Sequence, residues 1–177
     1  MAELVGAAGR AVSGWTGCDG GCEHRASGSC QRARDGTFWI GLGFGKAELV
    51  CFDASQREYL PVAARPADAQ PAKIICDVTE GQDGRIYYST ATDAQLWRHD
   101  PGTGEHQLLV ERIDPENNYP YSLTSGHAGR IFIAMACDRD QLWCYDPSDG
   151  SLTKMTPEQY QAPGPWDQPE GESMWLI

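Results

Sequence analysis

A group of cysteines and one histidine near the amino terminus has the donor types that zinc takes in proteins. Three thiols and an imidazole fall within thirteen residues: Cys18, Cys22, His24 and Cys30. A tetrahedral zinc site needs four such donors. The spacing, however, lacks the paired Cys-x2-Cys knuckles of common zinc modules. A zinc site, a disulfide and unpaired thiols in a loop therefore all stay open for this segment.

Other motifs that carry chemistry are missing from the sequence. It contains no Gly-x-Ser-x-Gly elbow for a serine nucleophile, no His-Glu-x-x-His run and no phosphate-cradling glycine loop. The glycines of segment 41–45 lack the strand-to-helix context that a nucleotide loop requires. His99, His106 and His127 flank or lie in predicted turns, so we expect solvated turn residues rather than catalytic bases.

The composition indicates an acidic, folded protein. The 177 residues include 25 acidic and 14 basic side chains, for a net charge of −11, and 41% are hydrophobic. The apolar fraction supports a packed core, whereas the negative charge disfavours nucleic acid and anionic membranes as partners. No secretion signal or membrane-spanning apolar run is visible, so we expect a cytoplasmic protein with reduced cysteines.

An internal repeat of about 45 residues is the main structural signal. Asp83–Tyr88, with the sequence Asp-Gly-Arg-Ile-Tyr-Tyr, matches Ala128–Ile133, and Gln95–Trp97 matches Gln141–Trp143. A third copy begins at Asp35. A period of this length with several short apolar runs is typical of a four-stranded β-propeller blade.

Four short apolar runs in each complete copy predict four strands, ordered from the propeller axis outward. In the middle copy they are Ile74–Thr79, Arg85–Ala91, Gln95–His99 and His106–Val110, and in the last copy Tyr121–Ser125, Arg130–Ala136, Gln141–Tyr145 and Ser151–Met155. The first copy lacks a convincing first strand, because residues 26–34 are small and charged.

The predicted fold class is therefore all-β, a partial β-propeller of about three four-stranded antiparallel blades. We place an irregular Gly/Cys-rich segment at 1–34, the blades at about 35–66, 72–112 and 118–155, and a Pro/Gln-rich tail at 156–177. Trp97 and Trp143 share one third-strand column, so we expect both to pack between blades. Three blades leave sheets uncovered, which predicts a fragment of a larger propeller or a homo-oligomer that completes the ring.

The motif of residues 83–104, Asp-Gly-Arg-Ile-Tyr and then Leu-Trp-Arg-His-Asp-Pro-Gly-Thr-Gly, resembles repeats of the streptogramin-lyase and gluconolactonase-like six- or seven-bladed propellers. The resemblance covers about residues 35–155. It implies a divalent-cation site near the axis, in the loops before strand one and between strands two and three. The candidate ligands in those loops are Asp93, Asn117, Asn118, Tyr119, Tyr121 and Asp138. Asn and Asp are also ordinary turn residues, so a structural role stays open.

Two functions are compatible with these observations. The first is a binding or scaffold module for a protein or carbohydrate partner. The second, implied by the resemblance, is a metal-dependent lyase or lactone hydrolase, with the ion held by Asn118, Asp93 or Asp138. No glutamate matches the metal-binding glutamate of the gluconolactonase-like proteins, which favours the binding module.

Overall fold

Antiparallel strands form three sheets with the same layout. The computed structural model describes residues 29–43, 47–66, 74–135 and 141–156. Each sheet has four strands in sequence order. Blade 1 contains β1 (Ser29–Arg32), β2 (Phe38–Leu42), β3 (Glu48–Asp53) and β4 (Glu58–Leu60); blade 2 contains β5 (Ile74–Glu80), β6 (Ile86–Ala91), β7 (Gln95–His99) and β8 (His106–Val110); blade 3 contains β9 (Pro120–Ser125), β10 (Ile131–Met135), β11 (Gln141–Asp146) and β12 (Ser151–Lys154). Within these ranges no helix is long and apolar enough to cross a membrane.

The first strand of blade 1 corrects the sequence analysis. The eight strands predicted for the second and third copies are confirmed within one residue or two at each end, but the prediction that blade 1 lacks its first strand is wrong. β1 pairs with β2, with Cys30 opposite Ile40. Its side chains are polar and therefore gave no strand signal. The strand is held instead by backbone pairing with β2 and by a hydrogen bond from the Ser29 hydroxyl to Asp77. The predicted boundary between residues 34 and 35 therefore falls after this strand.

The turns between third and fourth strands repeat one arrangement. In blade 2 the Asp100 Oδ1 accepts a hydrogen bond from the Gly102 N–H at 2.9 Å. In blade 3 the Asp146 Oδ1 accepts one from the Ser148 N–H at 3.0 Å. An aspartate that caps its own turn in this way explains why Asp-Pro recurs at this point of the repeat.

Side-chain alternation gives every blade two faces. We call the face toward the preceding blade in the chain the front face, and the face toward the next blade the back face. In blade 2 the front face carries Ile86, Tyr88 and Trp97, and the back face carries Tyr87 and Leu96. All five side chains are buried, because blade 2 has a neighbour on both sides.

Two buried clusters join the blades. The cluster between blades 1 and 2 contains Ala33, Trp39, Ala47, Leu49, Cys51, Ile75, Val78, Ile86, Tyr88 and Trp97. The cluster between blades 2 and 3 contains Tyr87, Ala94, Leu96, Ile113, Leu123, Ile131, Ile133, Met135 and Tyr145. Trp97 and Trp143 both pack between blades as expected, Trp97 buried and Trp143 half-buried. Contacts between the sheets are concentrated on β1, β5 and β9, so these strands lie nearest the axis.

Two histidines correct a second expectation. His99 and His106, which we expected to be solvated, are only 2% and 9% exposed. They pair across β7 and β8, with ring centroids 4.3 Å apart. The ring of Trp39 from blade 1 lies 5.2 Å from that of His99, and the Ala63 carbonyl lies 2.8 Å from His106 Nε2. Both histidines are buried because blade 1 and the segment after it cover them.

Candidate functional site

Two loops meet at one end of blades 2 and 3. One is the turn between β6 and β7, and the other is the connection from β8 to β9, residues 111–119. The Ile113 N–H donates to the Ala94 carbonyl at 2.7 Å, and the Ser89 hydroxyl donates to the Pro120 carbonyl at 2.9 Å. The two stretches that the sequence analysis assigned to one face are therefore neighbours. We call this region the loop end.

Asp114 organises the connection from β8 to β9. Its Oδ1 accepts hydrogen bonds from the backbone N–H groups of Glu116, at 2.7 Å, and Asn117, at 3.2 Å. The Asn117 Oδ1 in turn accepts one from the Tyr119 N–H at 3.0 Å. Asp114 and Asn117 are 2% and 3% exposed. Both side chains thus use one oxygen to hold the loop.

The remaining polar atoms of this pair lack partners. Asp114 Oδ2 and Asn117 Nδ2 are buried and make no hydrogen bond within the described residues. An unsatisfied buried polar group costs about 1–3 kcal/mol, and a bound molecule could pair with these two atoms only if the loop opened, because both atoms are inaccessible to solvent. Sequence reasoning found Asn117 but missed Asp114, whose position before Pro115 reads as an ordinary turn.

The other predicted loop residues differ in their hydrogen bonds and in their solvent exposure. Asn118 Oδ1 accepts a hydrogen bond from the Arg112 guanidinium at 2.5 Å, so this predicted ligand oxygen is already paired with a positive charge. Asp93 Oδ1 accepts one from the Thr90 hydroxyl at 2.9 Å. Tyr119 and Tyr121 are 37% and 62% exposed. Within the described residues, Asn118, Tyr119 and Tyr121 are thus the exposed members of the predicted set, and the two tyrosines provide its aromatic surface.

Metal binding draws limited support from this geometry. No three His, Cys, Asp or Glu side chains of the described ranges are grouped closely enough to hold an ion. Asp138, Cys18, Cys22 and His24 lie outside those ranges. Cys30, the last member of the predicted zinc cluster, is an exposed free thiol in β1.

A second polar feature, Asp77, lies at the axis and was not predicted. Its carboxylate accepts hydrogen bonds from the Ser29 hydroxyl of β1, from the N–H of the next residue, Val78, at 2.9 Å and from the Leu123 N–H of β9 at 2.5 Å. A break in strand register between Ile75 and Asp77 accompanies this arrangement. One side chain thus ties together the innermost strands of all three blades.

A cavity of about 280 Å³ lies beside Asp77. Its walls come from the inner strands and from one face of blade 3: Cys30, Gln31, Asp77, Val78, Ser122, Leu123, Thr124, Phe132, Ala134 and Leu142. The inner strands contribute both polar and apolar groups to the lining, whereas β10 and β11 contribute only apolar ones. The cavity is therefore the axial opening between β1 and blade 3.

Comparison with known proteins identifies the fold. No family model matches the sequence, and no curated protein matches it. Among solved structures, the chain is similar to virginiamycin B lyase from Staphylococcus aureus, with a TM-score of 0.58 and 16% identity, over 72% of this chain and 40% of the lyase. It is also similar to the extracellular domain of a one-component system from B. thetaiotaomicron, with a TM-score of 0.55 and 16% identity, over 74% of this chain and 16% of that one.

These likenesses concern architecture. The chain spans about two fifths of the length of the lyase that it matches. Together with three four-stranded antiparallel sheets, the match shows that the chain is a partial β-propeller of the type found in virginiamycin B lyase. At 16% identity the similarity extends to the fold, and the activity must be argued from the chain's own residues.

Proposed function

We propose that the chain is a β-propeller binding module for a carbohydrate or protein partner, and that the loop end of blades 2 and 3 binds the ligand. The observation that carries this proposal is that Tyr119 and Tyr121 are both exposed in a segment that the buried side chains of Asp114 and Asn117 hold in place. Aromatic rings offer contact area at low entropic cost, and a few polar groups fix orientation.

A neutral carbohydrate is the ligand that this chemistry supports best. The apolar face of a sugar ring can stack on Tyr121, while its hydroxyl groups pair with the exposed polar groups of the same loop, the Asn118 amide and the Arg112 guanidinium. The net charge of −11 disfavours acidic glycans.

The test is a panel of neutral oligosaccharides, followed by calorimetric titration of the best binder. We expect Tyr121→Ala to weaken binding at least about tenfold, which corresponds to about 1.4 kcal/mol. Leu108→Ala is the matched control, because Leu108 is an apolar side chain that is 38% exposed but lies in the outer strand of blade 2. Equal loss in both variants, or no binding by the parent chain, would contradict a carbohydrate site at the loop end.

The alternative function is a metal-dependent lyase or lactone hydrolase. The unpaired Oδ2 of Asp114 favours it, since a carboxylate oxygen is a ligand for hard divalent ions, although the loop must open before an ion can reach this buried atom. The Arg112 guanidinium on Asn118 disfavours it. Activity on a lactone or a depsipeptide that is lost on chelation and restored by a divalent ion would favour the enzyme, with Asp114→Asn as the variant that removes it.

A further inference from the structure

The front face of blade 1 has no neighbour among the described residues. Phe38 pairs with Phe52, and Ile40 pairs with Val50, so these four apolar side chains share the face. All four are half-buried. Tyr59 extends the face, with its ring 5.2 Å from that of Phe52. An open sheet face of this composition is an interaction surface.

The back face of blade 3 is open as well. Phe132 pairs with Cys144, and Ala134 pairs with Leu142, which places these four side chains on one face. All four are half-buried. The axial cavity of about 280 Å³ borders three of them, so part of this face lines an opening rather than a packed interface.

Matching positions in the other blades show what normally covers these faces. On back faces, Leu49 and Cys51 of blade 1 are 9% and 2% exposed against blade 2, whereas their counterparts Leu142 and Cys144 are half-buried. On front faces, the counterpart of Ile40 in blade 3 is Ile133, which is 0% exposed. In both closed interfaces the back face of one blade packs on the front face of the next.

We propose that two copies of this chain associate head to tail, so that the back face of blade 3 in each copy packs on the front face of blade 1 in the other. The result is a closed ring of six blades with two identical new interfaces. Each repeats the contact that blades 1 and 2, and blades 2 and 3, already make within the chain. Closure removes every open sheet face and leaves both loop ends accessible.

A second copy fits this role because its surfaces already have the required form. The two open faces are the two halves of one interface type, so the chain is complementary to itself. Three blades correspond to 40% of the similar lyase, so two copies supply a number of blades close to that of a complete propeller.

The experiment is the solution mass of the 177-residue chain by light scattering after gel filtration. We expect twice the 19.4 kDa of one chain. Ile40→Glu and Leu142→Glu should each give a monomer, because each places a charge in both interfaces of the ring. Ala54→Glu, in an exposed turn after β3, is the matched control and should remain a dimer. Thermal melts verify that each variant is folded.

Mixing the two monomeric variants tests the head-to-tail arrangement. A mixed pair keeps one unaltered interface and concentrates both charges in the other, so we expect the mixture to form dimers that neither variant forms alone. A monomeric parent chain would overturn the proposal. So would a dimer that only one of the two substitutions disrupts, because this is the behaviour of a contact between two like faces. Failure here leaves the carbohydrate titration interpretable, since the loop end is not part of either open face.

Discussion

The two closed interfaces have the same geometry but different chemistry. Between blades 1 and 2 lie rings and polar groups: the indole of Trp97 donates to Gln95 Oε1 at 2.8 Å, and the Tyr88 hydroxyl lies 2.9 Å from His106 Nδ1. Between blades 2 and 3 the buried cluster is mainly aliphatic around Ile131 and Ile133, and it includes Tyr87 and Tyr145 but no histidine, so we call it the aliphatic interface. The position of a residue in the repeat therefore determines which interface its side chain enters. The chemistry of that side chain determines whether the stability of the interface depends on pH.

The polar interface holds its histidines in the neutral form. The Ala63 carbonyl can only accept, so His106 Nε2 carries the proton and Nδ1 accepts from Tyr88. Burial and the neighbouring His106 lower the pKa of His99 to about 4. Burial also lowers the pKa of His106, with a further contribution from Arg65. The interface between blades 1 and 2 should therefore be sensitive to acid, and the aliphatic one should not.

The largest expected effect comes from the tryptophan column. Trp97→Ala should lower the free energy of unfolding by about 3–5 kcal/mol, because it empties a buried site and leaves Gln95 Oε1 without its donor. Trp143→Ala should cost less, since Trp143 is half-buried and its indole N–H has no partner among the described residues. Urea unfolding of both variants checks this order. Equal losses would mean that the two closed interfaces do not differ at this position of the repeat.

Acid should weaken the same interface by a somewhat smaller amount. The unfolded chain protonates its histidines near pH 6.5, and folded His99 does so only near pH 4. Between these values the unfolded state binds more protons, so stability falls as pH decreases from about 6.5 to about 4, by up to about 3 kcal/mol. His99→Phe should flatten this dependence, as urea titrations at several pH values would reveal. Ile133→Val, in the aliphatic interface, should lower stability and keep the slope.

The smallest expected effect comes from Asp77, whose carboxylate links the innermost strands of the three blades. Asp77→Asn should destabilise the chain by about 1–3 kcal/mol, because one oxygen that accepts from Leu123 or Ser29 becomes a donor. Asp77 and Ile133 share Leu123 as a neighbour, so the effect of Asp77→Asn should not simply add to that of Ile133→Val. Glu111→Gln, at an exposed site, is the control and should stay within about 0.5 kcal/mol of the parent. If Asp77→Asn left the free energy of unfolding unchanged, the hydrogen bonds to the Asp77 carboxylate would add no stability beyond that of strand packing.

The internal repeat is what made the fold predictable from the sequence, so the prediction was accurate where the repeat is clear and failed where it is not. Turn signals and apolar runs placed the strands of blades 2 and 3, because these residues form turns and cores wherever they occur. β1 was missed because Ser29–Arg32 has no apolar face of its own. His99 and His106 were misassigned because their position beside an Asp-Pro turn says nothing about the blade that covers them.

The candidate site was predictable only in outline. The repeat indicated which loops share an end, and the structure brings them together. Asp77 and Asp114 were beyond reach of the sequence, since an isolated aspartate in a strand or a turn looks the same whether or not its carboxylate bridges elements. Metal binding by Asp93, Asn118 and Asp138 stays a prediction.

The most direct test of the account is amide hydrogen exchange by blade, at about pH 7.5 and about pH 5, with rates corrected for the intrinsic effect of pH. The account predicts that acid reduces protection in blade 1 and on β7 and β8 of blade 2, while β10 and β11 of blade 3 keep theirs. Equal loss of protection in blades 1 and 3 would contradict it, because the two interfaces would then respond as one.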